Sequence, residues 1–239
     1  MTSLLLSETL WFAVFKGLQV TILLTVLSVA IGLICGTAIA LMRVYGGTIA
    51  SSLATTYVFV FRGVPLLILL YCLYYGVPQI AFLRKGPLWD FVLSSAFSTC
   101  VLAFSLNNAA YLAEVIRSGI LTVRKGQVEA GLAIGLSGRK VISRITLPIA
   151  IRNCLSQIGN ETIFTIKASA IASIVTVRDL LGEAQNIGTI YYDNVSPLLA
   201  AAVLYIVLVQ IVEKLTRWAD KSLNPLGTDG RTAKDAAPV

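Results

Sequence analysis

Histidine is absent from the 239 residues, and with it the side chain that most often serves as general base or metal ligand near neutral pH. Four cysteines (Cys35, Cys72, Cys100, Cys154) lie far apart in or beside apolar stretches. They read as small packing residues, with no disulfide or metal pattern. Charge is scarce: Asp, Glu, Lys and Arg make up 13 % of the chain, about half the share in soluble domains. No G-x-x-x-x-G-K-[ST] stretch occurs, so the usual backbone cradle for nucleotide phosphates is missing. These absences leave an enzyme reading little to stand on, intramembrane enzymes included.

What is present is apolar: 56 % hydrophobic residues and a mean hydropathy of +0.82. Leu18–Leu41 carries no charge and is long enough to cross a hydrocarbon core of about 30 Å, which takes roughly 20 helical residues. The expectation is an all-α integral membrane protein with about five spans. They fall near Leu18–Leu41, Leu53–Gly76, Phe91–Val115, Cys154–Val177 and Pro197–Leu215, the second interrupted at Phe61-Arg62-Gly63-Val64-Pro65. Residues 1–17 form an amphiphilic N-terminal segment, of which 3–15, with Trp11, Phe12 and Phe15, suit an interfacial helix. The start has no basic region before its apolar stretch, so the first helix is expected to be retained rather than cleaved. Residues 18–215 form the transmembrane domain, and 216–239 a cytoplasmic tail, disordered by composition over Asn224–Val239.

Orientation follows from the basic residues. The segment Arg117–Arg152 holds Arg117, Arg124, Lys125, Arg139, Lys140, Arg144 and Arg152 against Glu129 alone. Arg178–Ser196 instead holds Arg178 against Asp179, Glu183 and Asp193. The positive-inside rule therefore puts the 117–152 loop and the C-terminus in the cytoplasm and the N-terminus outside. The net charge of +7 is explained by those loops and lipid headgroups, without nucleic acid. No internal repeat is visible, and five spans make a poor self-contained pore, so a two-fold pair is expected.

The cytoplasmic loop is unusually ordered. Gln127–Leu136 reads as a short helix with Val128, Leu132 and Leu136 on one face, and Gly135 and Gly138 bracket a break. A second short helix near Arg139–Ile145 follows, and Pro148 ends or bends it. By composition alone this is a membrane-surface hairpin. Its spacing says more: Glu129-Ala130-Gly131, three residues, Gly135, nine residues, then Ile145, Leu147 and Pro148. That pattern resembles the EAA loop of permease subunits of ATP-binding-cassette importers, with Gly131 in the place of the second Ala. Phe61-Arg62-Gly63-Val64-Pro65-Leu66-Leu67 is similar to the FRGTPLL of the polar amino acid (histidine/glutamine/arginine-type) permeases. Ala110–Gly119 resembles their AYxAExxRGG, Lys125-Gly126-Gln127 their KGQ, and Gly159-Asn160-Glu161 with Lys167 their GNE…LKDTSL. The chain departs from that last segment at Lys167–Ile171, where the Asp is missing.

The resemblance implies a type I importer permease in the bacterial inner membrane, with no cofactor of its own. It implies that ATP and Mg are held by a separate ATPase dimer, which docks on the loop through Glu129, Ala130, Gly131, Gly135, Arg139, Ile145, Leu147 and Pro148. It also implies a second identical or homologous permease subunit and a periplasmic solute-binding protein. A secondary transporter or channel for a small polar solute is the alternative, but it leaves the EAA spacing unexplained.

Ionisable residues at membrane depth cost at least about 2.5–3.5 kcal/mol each on insertion scales. Arg62, Glu161 and Lys167 therefore need partners or a function. Either they pair with one another, or with Asn160 they line a polar path for a zwitterion. Glu114 and Arg117, three apart on one helix, are expected to pair as a structural bridge or part of an inner gate. Asn107 and Asn108 suit hydrogen bonds between helices.

Overall fold

The computed structural model describes residues 8–223 apart from 83, 85, 87 and 88. Among them there is no strand. The first helix, α1 (Glu8–Tyr45), runs 38 residues without a break. The segment expected to lie separately at the interface is therefore, from Glu8 on, the first two turns of α1; no Gly or Pro between Glu8 and Lys16 provides a stop. Residues 3–7 and the tail expected to be disordered lie outside the described residues.

After a turn at Gly46-Gly47, α2 (Thr48–Gly63) leads to α3 (Leu66–Tyr71), which continues through a π turn at Cys72–Gly76 and a 3-10 turn at Val77–Gln79. The chain bends by 100° between α2 and α3, at the interruption expected from Gly63 and Pro65. Pro65 has no N–H, so the Phe61 carbonyl loses its helical donor. Asn107 of α4 (Ala96–Leu121) supplies one, donating from Nδ2 to Phe61 O at 3.1 Å. Tyr57 adds a second tie, donating from its hydroxyl to Leu106 O at 2.7 Å. A break at membrane depth is tolerated when neighbours satisfy the freed backbone in this way.

α4 is the most buried of the long helices, and its largest interface is with α1. Small residues make that approach possible: a Cβ on Gly32 would sit 2.7 Å from Asn108 Cβ, and one on Gly36 2.9 Å from Ala109 O. Glycines four apart let two helix backbones meet directly, the usual device where hydrophobic burial gives no preference for protein over lipid.

The loop that follows is built from α5 (Lys125–Ala133), α6 (Gly138–Val141), a π turn at Ile142–Thr146 and α7 (Leu147–Asn153). Cys154 departs from helical geometry at φ −110° and ψ 12° before α8 (Leu155–Ala168) and a 3-10 turn at Ser169–Val175. α9 (Leu180–Tyr191) and α10 (Val195–Leu223) complete the described chain. By length and composition α1, α4 and α10 can each cross a membrane, and the bent α2–α3 pair makes up to four. The expected span at Cys154–Val177 differs: its α-helix is 14 residues long and carries Glu161 and Lys167. It runs on as 3-10 helix, so it fails as one long apolar helix despite its place in the core.

Candidate functional site

Two cavities share Tyr111 and Glu114 of the C-terminal half of α4 and Arg62 of α2. The first, about 410 Å³, is lined by Arg62, Tyr111, Glu114, Val115, Ser118, Asn153, Cys154, Gln157 and Glu161. The second, about 500 Å³, lies on the α1–α2 side, with Arg43, Thr55, Val58, Phe59 and Gly63 beside the shared Arg62, Tyr111 and Glu114. Arg62 is placed by the last turn of α2, just before the bend, and its guanidinium carbon lies 5.1 Å from the centre of the Tyr111 ring. That is a cation–π distance. Among the described residues neither Arg62 nor Glu161 forms a salt bridge. A guanidinium and a carboxylate thus face one polar cavity without neutralising each other by contact.

Glu114 is different. Its Oε1 accepts from Arg117 Nε at 3.0 Å and Nη2 at 2.5 Å, and its Oε2 accepts from Arg43 Nη1. Both oxygens are engaged, so this carboxylate sits between two cations in a three-residue cluster. The Glu114–Arg117 contact follows from helical spacing. Arg43 is 71 residues away in sequence, and its position near the end of an apolar helix signals only a cytoplasmic flank. Tyr111, which lines both cavities, is visible beforehand only as part of the AYxAExxRGG-like stretch. Asn160 and Lys167 do not join the cavity. They are exposed on α8 and are not among the residues that line it.

The loop residues lie at the opposite end of the site. α5 ends in a Schellman arrangement: Leu136 N–H donates to Gly131 O at 3.2 Å and Gly135 N–H to Leu132 O at 2.9 Å. Gly135 takes φ +84°, the left-handed conformation that favours glycine. Gly131 is buried, and an added Cβ would come 2.5 Å from Ile145 Cδ1. The two arms of the loop therefore pack where Gly131 meets Ile145 and Val141. The π turn at Ile142–Thr146 absorbs Pro148, which lacks a donor of its own. Glu129, Ala130, Arg139, Lys140 and Arg144 are exposed, as are Leu132 and Ile134. No basic residue of the loop pairs with Glu129 among the described residues. The return arm is tied to α4 by Asn153 Nδ2 donating to Thr122 Oγ1 at 3.0 Å. Ala150 also lies close by, its carbonyl 2.6 Å from where a Cβ on Gly119 would stand.

A family model described as "Binding-protein-dependent transport system inner membrane component" matches residues 7–225. The chain belongs to that family. It is 36 % identical over 223 residues to the octopine transport system permease protein OccM of Rhizobium radiobacter, covering 91 % of each chain. It is 37 % identical to the nopaline transport system permease protein NocM of Agrobacterium fabrum (strain C58), over 86 % of this chain and 85 % of that one. With the arginine transport system permease protein ArtQ of Bacillus subtilis (strain 168) it shares 34 %, over 88 % and 92 %. Among solved structures, an amino acid ABC transporter with histidines matches with a TM-score of 0.76 at 34 % identity, over 88 % of this chain and 94 % of that chain. The MetNI methionine ABC transporter matches at TM-score 0.71 and 19 % identity, which speaks for the fold alone. The fold is that of a type I ABC importer permease, and the chain is a transport subunit rather than an enzyme.

Proposed function

We propose that this inner membrane component forms the transmembrane path of an ATP-driven importer for a polar amino acid or an amino-acid-like compound, in the bacterial inner membrane. The observation that carries the cargo class is the first cavity, lined by both Arg62 and Glu161 with neither in a salt bridge. An α-carboxylate finds a planar donor fork in Arg62, and an α-ammonium finds its counter-charge in Glu161. Relatives named for octopine, nopaline and arginine transport support the same class.

The Glu129–Pro148 loop is the part that receives work. It presents Leu132, Ile134, Glu129 and Arg139 to solvent on a stiff pair of arms pinned at Gly131 and Gly135. These features suit docking in a groove of a separate ATPase dimer, which holds ATP and Mg. The Asn153–Thr122 tie connects the return arm to α4, the helix that carries Tyr111 and Glu114. Closure of the ATPase thereby reaches the cavity wall. The Glu114 cluster forms part of the inner gate in this reading. A second permease subunit pairs with this one, and a periplasmic binding protein delivers the cargo.

The test is uptake into proteoliposomes containing the permease, its ATPase and its binding protein. Cargo accumulation should require ATP, and Glu161→Gln should reduce it about ten-fold or more while the complex still assembles. Uptake that proceeds without the ATPase favours the secondary-transporter alternative. Unchanged uptake in Glu161→Gln removes that residue from the path.

A further inference from the structure

The charge on the two cavity walls does not balance. Glu114 has both oxygens taken by Arg43 and Arg117, so the cluster as a whole keeps one positive charge. Arg62 adds one more and Glu161 removes one. The lining is left with two guanidiniums that retain free donors, Arg62 and Arg43, against one uncommitted carboxylate. An arginine presents five donors; Arg43 places Nη1 on Glu114 and also lines the second cavity. Arg62 lines both cavities, above the Tyr111 ring, which also lines both.

We infer that the cargo this pair of cavities fits is a dicarboxylic amino acid, with one more negative than positive group. Its α-carboxylate lies on Arg62 and its α-ammonium reaches Glu161 in the first cavity. The second carboxylate passes the Tyr111 edge to Arg43 in the second cavity, where Thr55 supplies a hydroxyl. Amino acids with an N-linked or side-chain carboxylate share this pattern. A cationic amino acid meets Arg62 through its α-carboxylate but leaves Arg43 without a counter-charge and adds a positive group, so it is disfavoured. The inference rests on the proposed cargo path and sharpens it from polar amino acids to acidic ones.

The experiment measures binding of radiolabelled L-glutamate, L-glutamine and L-arginine to the permease–ATPase complex in lipid nanodiscs. The binding protein is omitted, so that its own selectivity does not enter. Glutamate should bind about ten-fold tighter than glutamine, the scale of one charge-assisted contact, and arginine most weakly. Arg43→Gln should bring glutamate down to the level of glutamine, and Arg43→Lys should restore most of the difference. Co-elution of each variant with the ATPase checks assembly. Glutamine or arginine binding as tightly as glutamate overturns this inference and leaves the cargo path standing. A glutamate preference that survives Arg43→Gln also overturns it. Binding of none of the three, together with Arg62→Gln importing normally in the full system, overturns the path itself.

Discussion

Asp179 stands just outside the expected fourth span and is completely buried. It caps α9, its Oδ1 accepting from Gly182 N–H at 2.9 Å and its Oδ2 from the Tyr205 hydroxyl at 3.3 Å. The neighbouring Leu180 N–H donates to Thr21 Oγ1 at 3.0 Å, so α1, α9 and α10 meet at this residue. Burial pushes the carboxyl up to about 6, against the lowering effect of its hydrogen bonds. The folded state thus holds the proton more tightly than the unfolded chain does. The resulting stabilisation is complete below the ordinary carboxylate range near 4 and is lost as pH rises through about 6. The thermal midpoint of the purified permease should therefore be higher at pH 5 than at pH 7.5, by an amount worth at most about 3 kcal/mol. Asp179→Asn should flatten that difference. A wild-type midpoint that does not change across this range counts against the assignment. Little of this was legible beforehand. Asp179 reads in the sequence as one acid in an external loop, because its partners Thr21 and Tyr205 are brought to it only by tertiary packing. Arg62 and Glu161 were legible for the opposite reason: charge at membrane depth stands out without any partner.

At the scale of elements, two breaks position the site. The first is the α2–α3 bend, where Asn107 replaces the donor that Pro65 lacks. Asn107→Leu should leave the Phe61 carbonyl unsatisfied at a cost of about 1–2 kcal/mol. It should also let the last turn of α2 shift Arg62. The expected outcome is a lower thermal midpoint together with a weaker cargo affinity; loss of stability with normal uptake would show that the bend does not set Arg62. The second break is the αL turn at Gly135. A non-glycine residue there costs about 1–2 kcal/mol in backbone strain, paid locally in an exposed loop. Gly135→Asp should therefore insert and assemble but fail to couple, with ATP hydrolysis no longer driving uptake. Normal coupling in that variant would dismiss the loop's role. The bend and the hairpin were both readable from Gly and Pro placement. The π turns, the departure at Cys154 and the merging of the first segment into α1 were not. Pro148 signals a bend but not a π turn, and the lack of Gly or Pro before Lys16 permits a continuous α1 without requiring it.

For the whole molecule, the membrane orientation ties these sites to one direction of transport. The basic segment that contains the coupling loop and the acidic segment around α9 lie at opposite ends of the expected spans. The positive-inside rule assigns the first to the cytoplasm. In the orientation we propose, ATPase contact, the Glu114 cluster and the Asn153–Thr122 tie all belong to the inner half, and α9 to the side of the proposed binding protein. Ser137 beside the loop break and Thr189 on α9 are both exposed, which makes them reporters of this arrangement. In a background with the exposed Cys35 and Cys72 replaced by Ser, Thr189→Cys should react with a membrane-impermeant maleimide in intact spheroplasts. Ser137→Cys should react only after the membrane is opened, and should be protected when the ATPase is bound. Labelling in the reverse order would invert the molecule. The loop could then meet no cytoplasmic ATPase, whatever its spacing resembles. Labelling in the expected order without protection would keep the orientation and place the docking contact elsewhere on the inner face.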